Sequence, residues 1–253
     1  MKKFWAGFAA ILLWAAFPAA GYGQLDKDVI PTAQGDLNIA FIAHGTLMFA
    51  WNNRIVHVDP ISKMTDYRAL PKADLVLITH HHGDHLDPSA LPLIKQDNTI
   101  IVAPELCSKK VEGCKVMRNG DTLTAAGIKI EAVPAYNIVH QAQGGAPFHV
   151  KGEGNGYVLT FGDKRVYVGG DTENTPEMKA LKNIDVAFLP MNVPYTMTPE
   201  MAADAAKAFR PAVLYPYHYD GTDPQRLVEL LKNEKDISVR VKQIYPPPAK
   251  MKR

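Results

Sequence analysis

Apolar residues in this chain fall in short runs separated by polar breaks. Residues 37–43, 46–51 and 55–58 are three such runs, with His44-Gly45 and Asn52-Asn53 between them. Their β-branched and aromatic content predicts a meander of strands. The runs DLVLIT at 74–79 and TIIVA at 99–103 are nearly continuous in apolar character, as strands covered on both faces are. Between them, residues 88–95 predict a helix with Asp87 at its N-cap. Residues 121–133 predict two strands around Gly127. A second set follows. Residues 156–161 and 165–168 flank Gly162-Asp163, a hairpin signal, and 184–189 and 212–217 read as strands. Residues 198–209 predict a helix that starts with Pro199 and Glu200, and 224–233 predict another. The polar stretch 24–36 reads as a leader into the fold, and the tail after Pro246 as frayed. Two runs of strands, each with helices and with no linker between them, predict one layered α/β domain over residues 24–253.

The first residues change the reading of the charge. Lys2 and Lys3 precede an apolar segment, residues 4–17, which Pro18 and small residues close. That is the pattern of a cleaved signal peptide over residues 1–23, and it implies a periplasmic or secreted protein. The apolar core falls short of the roughly 20 residues needed to span a bilayer. The formal charge of +2 belongs to this segment; without it the chain carries 26 basic and 26 acidic residues. A neutral chain with no basic stripe gives no case for binding nucleic acid. Cys107 and Cys114 lie in the exported part, where a disulfide is permitted. A helix at the first and a strand at the second could instead hold them too far apart to bridge.

Candidate chemistry concentrates in Thr79-His80-His81-His82-Gly83-Asp84-His85, directly after DLVLIT. At a strand end His80 and His82 point the same way, and His81 points the other. Gly83 lets the chain turn, returning Asp84 and His85 to the same place. Imidazoles and carboxylates together suit zinc, iron or manganese. Asp171 and His218 also follow predicted strands, where convergent ligands would sit.

His80-x-His82-x-Asp84-His85 is the HxHxDH motif, and the chain resembles the metallo-β-lactamase superfamily over nearly all of its length after residue 23. It looks closest to the branch of metal-dependent hydrolases that includes ascorbate-6-phosphate lactonase and N-acylphosphatidylethanolamine phospholipase D. Ile42-Ala43-His44-Gly45-Thr46, Val58-Asp59-Pro60, Gly169-Gly170-Asp171-Thr172 and Pro216-Tyr217-His218-Tyr219 resemble further motifs of that branch, in the same order. The resemblance implies a four-layer αββα sandwich with metals at one edge, between the sheets. It implies that His80 and His82 serve one metal, that Asp84, His85 and His218 serve a second, and that Asp171 bridges. One departure matters. The family's third histidine for the first metal is missing, because Ala135-Tyr136-Asn137 stands in its place. His149 is favoured as the substitute, since Phe148 can anchor its loop; His140, the Asn137 oxygen or a water are the alternatives.

The expected activity is hydrolysis of a small ester, lactone or phosphodiester. One or two zinc ions, with manganese or iron as options, would lower the pKa of a bound water to about 7. Asp84 would hold the nucleophile or take its proton, Asp59 would orient a histidine, and His44 and Tyr195 are candidates for contacting substrate. Two other readings remain: a mononuclear iron oxidoreductase of the persulfide dioxygenase type, and a non-catalytic binder stabilised by metal. The expected partner is a small molecule, with no stable membrane insertion once the signal is removed; the oligomeric state is left open.

Overall fold

The structure is a computed structural model in which residues 25–244 are described. The expected signal peptide and the tail after Pro246 lie outside the described residues. The first sheet comprises β1 (Asp26–Ile30), β2 (Leu37–Ala43), β3 (Thr46–Trp51), β4 (Arg54–Val58), β5 (Leu75–Leu77), β6 (Ile100–Ala103) and β7 (Lys115–Val116), and its spatial order is the chain order. The second comprises β8 (Thr122–Ala125), β9 (Ile128–Ala135), β10 (Gly154–Phe161), β11 (Lys164–Val168), β12 (Val186–Pro190), β13 (Val213–Tyr217) and β14 (Ser238–Val239), again in chain order. In each sheet the first three pairings are antiparallel and the last three parallel. The two halves therefore repeat one topology, although no short period in the sequence shows it.

Alternation along the strands explains the layers. Leu47, Phe49 and Trp51 of β3 join Phe161, Phe188 and Tyr215 in a core between the sheets. Met48 and Ala50, pointing the other way, pack with Leu91 and Ile94 of α1 (Leu91–Ile94) on the outer face of the first sheet. On the outer face of the second sheet lie α3 (Pro199–Phe209) and α4 (Gln225–Leu231), after a short α2 (Pro176–Lys179). Thr198 caps α3 by accepting the Met201 amide at 3.2 Å, with Pro199 following it. The result is the αββα sandwich, with each sheet buried on both faces.

Some expectations change. The stretch read as a leader contains β1, a charged edge strand whose alternate residues are exposed, which hides it from a search for apolar runs. The helix expected over 88–95 is confined to Leu91–Ile94; Asp87 instead accepts the amides of Ser62 and Ser89, each at 2.8 Å. Cys107 closes a single 3-10 turn, Cys114 precedes β7, and both thiols are free. No helix among the described residues is long and apolar enough to cross a membrane.

Candidate metal centre

Strand ends deliver the site. The chain leaves β5 into His80–His85, β11 into Asp171 and β13 into His218, while the β2–β3 turn supplies His44. His149 comes from the long connection between β9 and β10, residues 136–153, and Tyr195 from the segment after β12. His44, Asp59 and His218 all take left-handed backbone conformations, with φ of 52°, 45° and 46°. Non-glycine residues adopt that region rarely, and such conformations cluster at functional sites. Gly45 is required for a different reason: a Cβ there would lie 2.6 Å from Cε1 of His85.

The side chains form two groups on either side of Asp171. One holds His80, His82 and His149; the other holds His44, Asp84, His85 and His218; within each, one donor atom per residue lies within 4.8 Å of the rest. Asp171 faces both. Its Oδ1 is 3.3 Å from His85 Nε2 and 3.4 Å from His218 Nε2. Its Oδ2 is 3.3 Å from His149 Nε2 and 3.9 Å from His80 Nε2.

Hydrogen bonds behind the histidines fix which nitrogen looks inward. Asp59 accepts the Thr79 amide at 2.7 Å and its hydroxyl at 2.6 Å, and lies 2.8 Å from His85 Nδ1. The Thr79 hydroxyl has one proton, already given to Asp59, so it accepts from His80 Nδ1 at 3.1 Å. Asn137 Oδ1 accepts the His149 amide at 2.9 Å and lies 2.7 Å from His149 Nδ1. Each of these rings has its Nδ1 engaged, which turns its Nε2 to the site.

Behind Asn137 stands Glu173, fully buried. It accepts the amides of Ile138, Val139 and His140, each at 2.7 Å, and the Asn137 side chain at 3.1 Å. Asn137 is thus the support of His149, and His140 turns to Glu173 at 2.8 Å. Phe148 packs edge-on against Tyr195, with ring centroids 4.9 Å apart. His44 lies 3.1 Å from Asp84 and 2.8 Å from Asp220, and its ring lies tilted against that of His218, centroids 3.6 Å apart. Tyr195 is half-exposed at the mouth of a cleft of about 270 Å³ that His82, Asp84 and His218 also line. Glu173 and Asp220 follow the Gly-Asp-Thr and His-Tyr motifs directly, but nothing local in the sequence distinguishes them from loop carboxylates.

The donor set suits a metal ion. His80 Nε2, His85 Nε2, His218 Nε2 and Asp171 Oδ1 are buried and have no hydrogen-bond partner. Such groups cost free energy unless something satisfies them. Electrostatics agree. Burial opposes a charge on His85, yet the carboxylates of Asp171 and Asp59 outweigh it and push its pKa up to about 10. Burial likewise opposes ionising Asp171, and His218 and His85 outweigh it, holding its pKa well down. Burial and the neighbouring His85 hold His80 well below its ordinary value, so it is neutral and able to ligate. A centre whose carboxylates call for positive charge beside neutral imidazoles fits a divalent cation.

The Beta-lactamase superfamily domain matches residues 38–218, most of the chain, and the chain belongs to that superfamily. A solved structure from Parabacteroides distasonis, named a metal-dependent hydrolase, is 48% identical; it superposes with a TM-score of 0.82 over 88% of this chain and 100% of that one. A Bacillus cereus protein named UPF0173 metal-dependent hydrolase is 30% identical over 78% of this chain and 94% of its own. A metallo hydrolase from Ignicoccus hospitalis, 24% identical, shares the fold with a TM-score of 0.68 over 83% of this chain and 96% of that one.

Proposed function

We propose that this metal-dependent hydrolase of the metallo-β-lactamase superfamily binds two ions, one on each side of Asp171, and cleaves a small ester, lactone or phosphodiester. The observation that carries the reading is the placement of Asp171: one carboxylate oxygen faces His85 and His218, the other His80 and His149. His80, His82 and His149 would hold one ion; Asp84, His85 and His218 would hold the other. Zinc suits this nitrogen-rich set, with manganese and iron(II) as alternatives. The bound metal supplies an acidified water and a Lewis acid for the substrate oxygen.

The chain's own groups do the rest. Asp84, its side chain half-exposed, faces the cleft and takes the proton of the attacking water. His44 orients Asp84 and connects it to Asp220 at the surface, giving that proton a path outward. Tyr195 and Phe148 form the wall against which substrate lies. Residues 1–23 direct export, and residues 24–253 act as one domain outside the cytoplasm; the support is the charged and apolar pattern of that segment.

The test is metal analysis of purified protein, followed by reconstitution with zinc, manganese or iron(II) and a panel of nitrophenyl esters, lactones and phosphodiesters. Turnover that needs added metal and falls at least a hundredfold in Asp84→Asn is expected. Protein that takes up no metal and cleaves nothing after reconstitution would sink the reading.

A further inference from the structure

Exposed large hydrophobic residues concentrate on the two segments that reach the cleft. Eight large hydrophobic residues are exposed among the described residues, and five of them lie on the two segments that bring His149 and Tyr195 to the site: Ile138, Val139, Val150, Val193 and Tyr195. Scattered exposed hydrophobics need no explanation; their concentration on the two segments that reach a reactive centre does. The segments are tied together, since the Asn137 amide group donates to the Tyr195 carbonyl at 2.9 Å and Phe148 packs on the Tyr195 ring. Among the described residues no Lys or Arg side chain lines the cleft. The nearby Lys151 is engaged with Glu177 at 2.6 Å. At about 270 Å³ the cleft has room for a small substrate, and Phe148 and Tyr195 line it beside the histidines.

We propose that Phe148, Val150, Val193 and Tyr195 form an acyl subsite, and that the substrate is an uncharged ester or lactone carrying a medium-length alkyl or aryl chain. The inference rests on the hydrolase reading and narrows it. Water adds at the carbonyl carbon and the acyl C–O bond breaks; an ester gives a carboxylic acid and an alcohol, a lactone a single hydroxy acid. The chain lies along the rim with its carbonyl at the metals. Among the described residues an anionic phosphodiester would find no Lys or Arg side chain in the cleft, whereas an apolar chain finds the rings of Phe148 and Tyr195 there, with Val150 in the adjoining pocket and Val193 exposed two residues before Tyr195.

The zinc-reconstituted full chain is assayed on nitrophenyl acetate, butanoate and octanoate at monomeric concentrations, and on bis(nitrophenyl) phosphate. We expect kcat/KM to rise about tenfold from acetate to octanoate, since each methylene moved out of water adds binding realised in the transition state. In Val193→Asp, and separately in Tyr195→Ser, the octanoate-to-acetate ratio falls at least fivefold. Calorimetry gives a readout independent of turnover: octanoate binds more tightly than butanoate, and Val193→Asp abolishes the difference. Ester turnover that is flat with chain length, or weaker than phosphodiester turnover, overturns the acyl subsite and leaves the hydrolase reading standing. If nothing is cleaved, that reading fails and calorimetry alone decides the subsite: equal binding of octanoate and butanoate rejects it.

Discussion

His85 and His149 face the same carboxylate from opposite sides, and they are held there by different means. His85 is fully buried at the end of a short turn, with Asp59 2.8 Å behind it. His149 rides on the connection 136–153, held by a neutral Asn137, which in turn rests on Glu173. The repeated topology sharpens the contrast, because the β2–β3 turn and the β9–β10 connection occupy equivalent places in their sheets. In the first sheet that place is two residues, His44-Gly45; in the second it is a long loop closed on a buried carboxylate. One side of the centre is fixed by strand ends and tight turns alone; the other adds to His80 and His82 a histidine from a loop that depends on hydrogen bonds. The Asp59 side should therefore fail together with the fold, and the Glu173 side should fail locally.

The largest effect is expected from Asp59→Ala. It leaves the Thr79 hydroxyl and His85 Nδ1 buried without their acceptor, and each such unsatisfied group costs about 1–3 kcal/mol. Denaturant unfolding should show that loss, with activity down at least a hundredfold. A variant that keeps wild-type stability would remove the distinction between the two sides.

Glu173→Gln comes next. The amide keeps one oxygen to accept with, but the charge-assisted bonds to three backbone amides are weakened, at about 1–3 kcal/mol. The expected outcome is selective: metal analysis finds the ion of the His80, His82 and His149 group lost first, while the other is retained. Equal loss of both ions would contradict the local role of the loop.

A smaller effect separates two buried histidines, His57 within β4 and His85 in the turn after β5. His57 has no carboxylate beside it, and burial pushes its pKa down to about 4, whereas His85 is pushed up. The unfolded chain binds the His57 proton at its ordinary value of about 6.5. Between those values the unfolded state holds more protons, so stability is full above about pH 6.5 and falls as pH drops to about 4, by up to about 3 kcal/mol. Unfolding free energies measured across that window should flatten in a His57→Gln variant. An unchanged slope would mean His57 is not held neutral.

These contrasts follow what was legible in the sequence. His80, His82, Asp84 and His85 share one run after an apolar strand, and Asp171 and His218 end strands of their own, so periodicity put each at a strand end; it was the resemblance to the superfamily that brought them to one edge. The core strands were legible for the same reason, since both faces of each are covered. The edge strand β1 was not, because its charged residues Asp26, Lys27 and Asp28 mask the alternation. His149 could be chosen over His140 only through its neighbour Phe148. What places it is Asn137, twelve residues earlier, and Glu173, which contacts Asn137 from 36 residues away. Hydrogen bonds over that separation leave no local pattern. The free thiols of Cys107 and Cys114 were likewise undecided by spacing.

The central claim is a centre with two ions, divided by Asp171. It is tested most directly by an anomalous-scattering map of crystals reconstituted with zinc, recorded for the unaltered chain and for His149→Ala. The account predicts two peaks on either side of Asp171 in the first, and only the peak beside Asp84, His85 and His218 in the second. A single peak in the unaltered chain, or two peaks that survive the loss of His149, would contradict it.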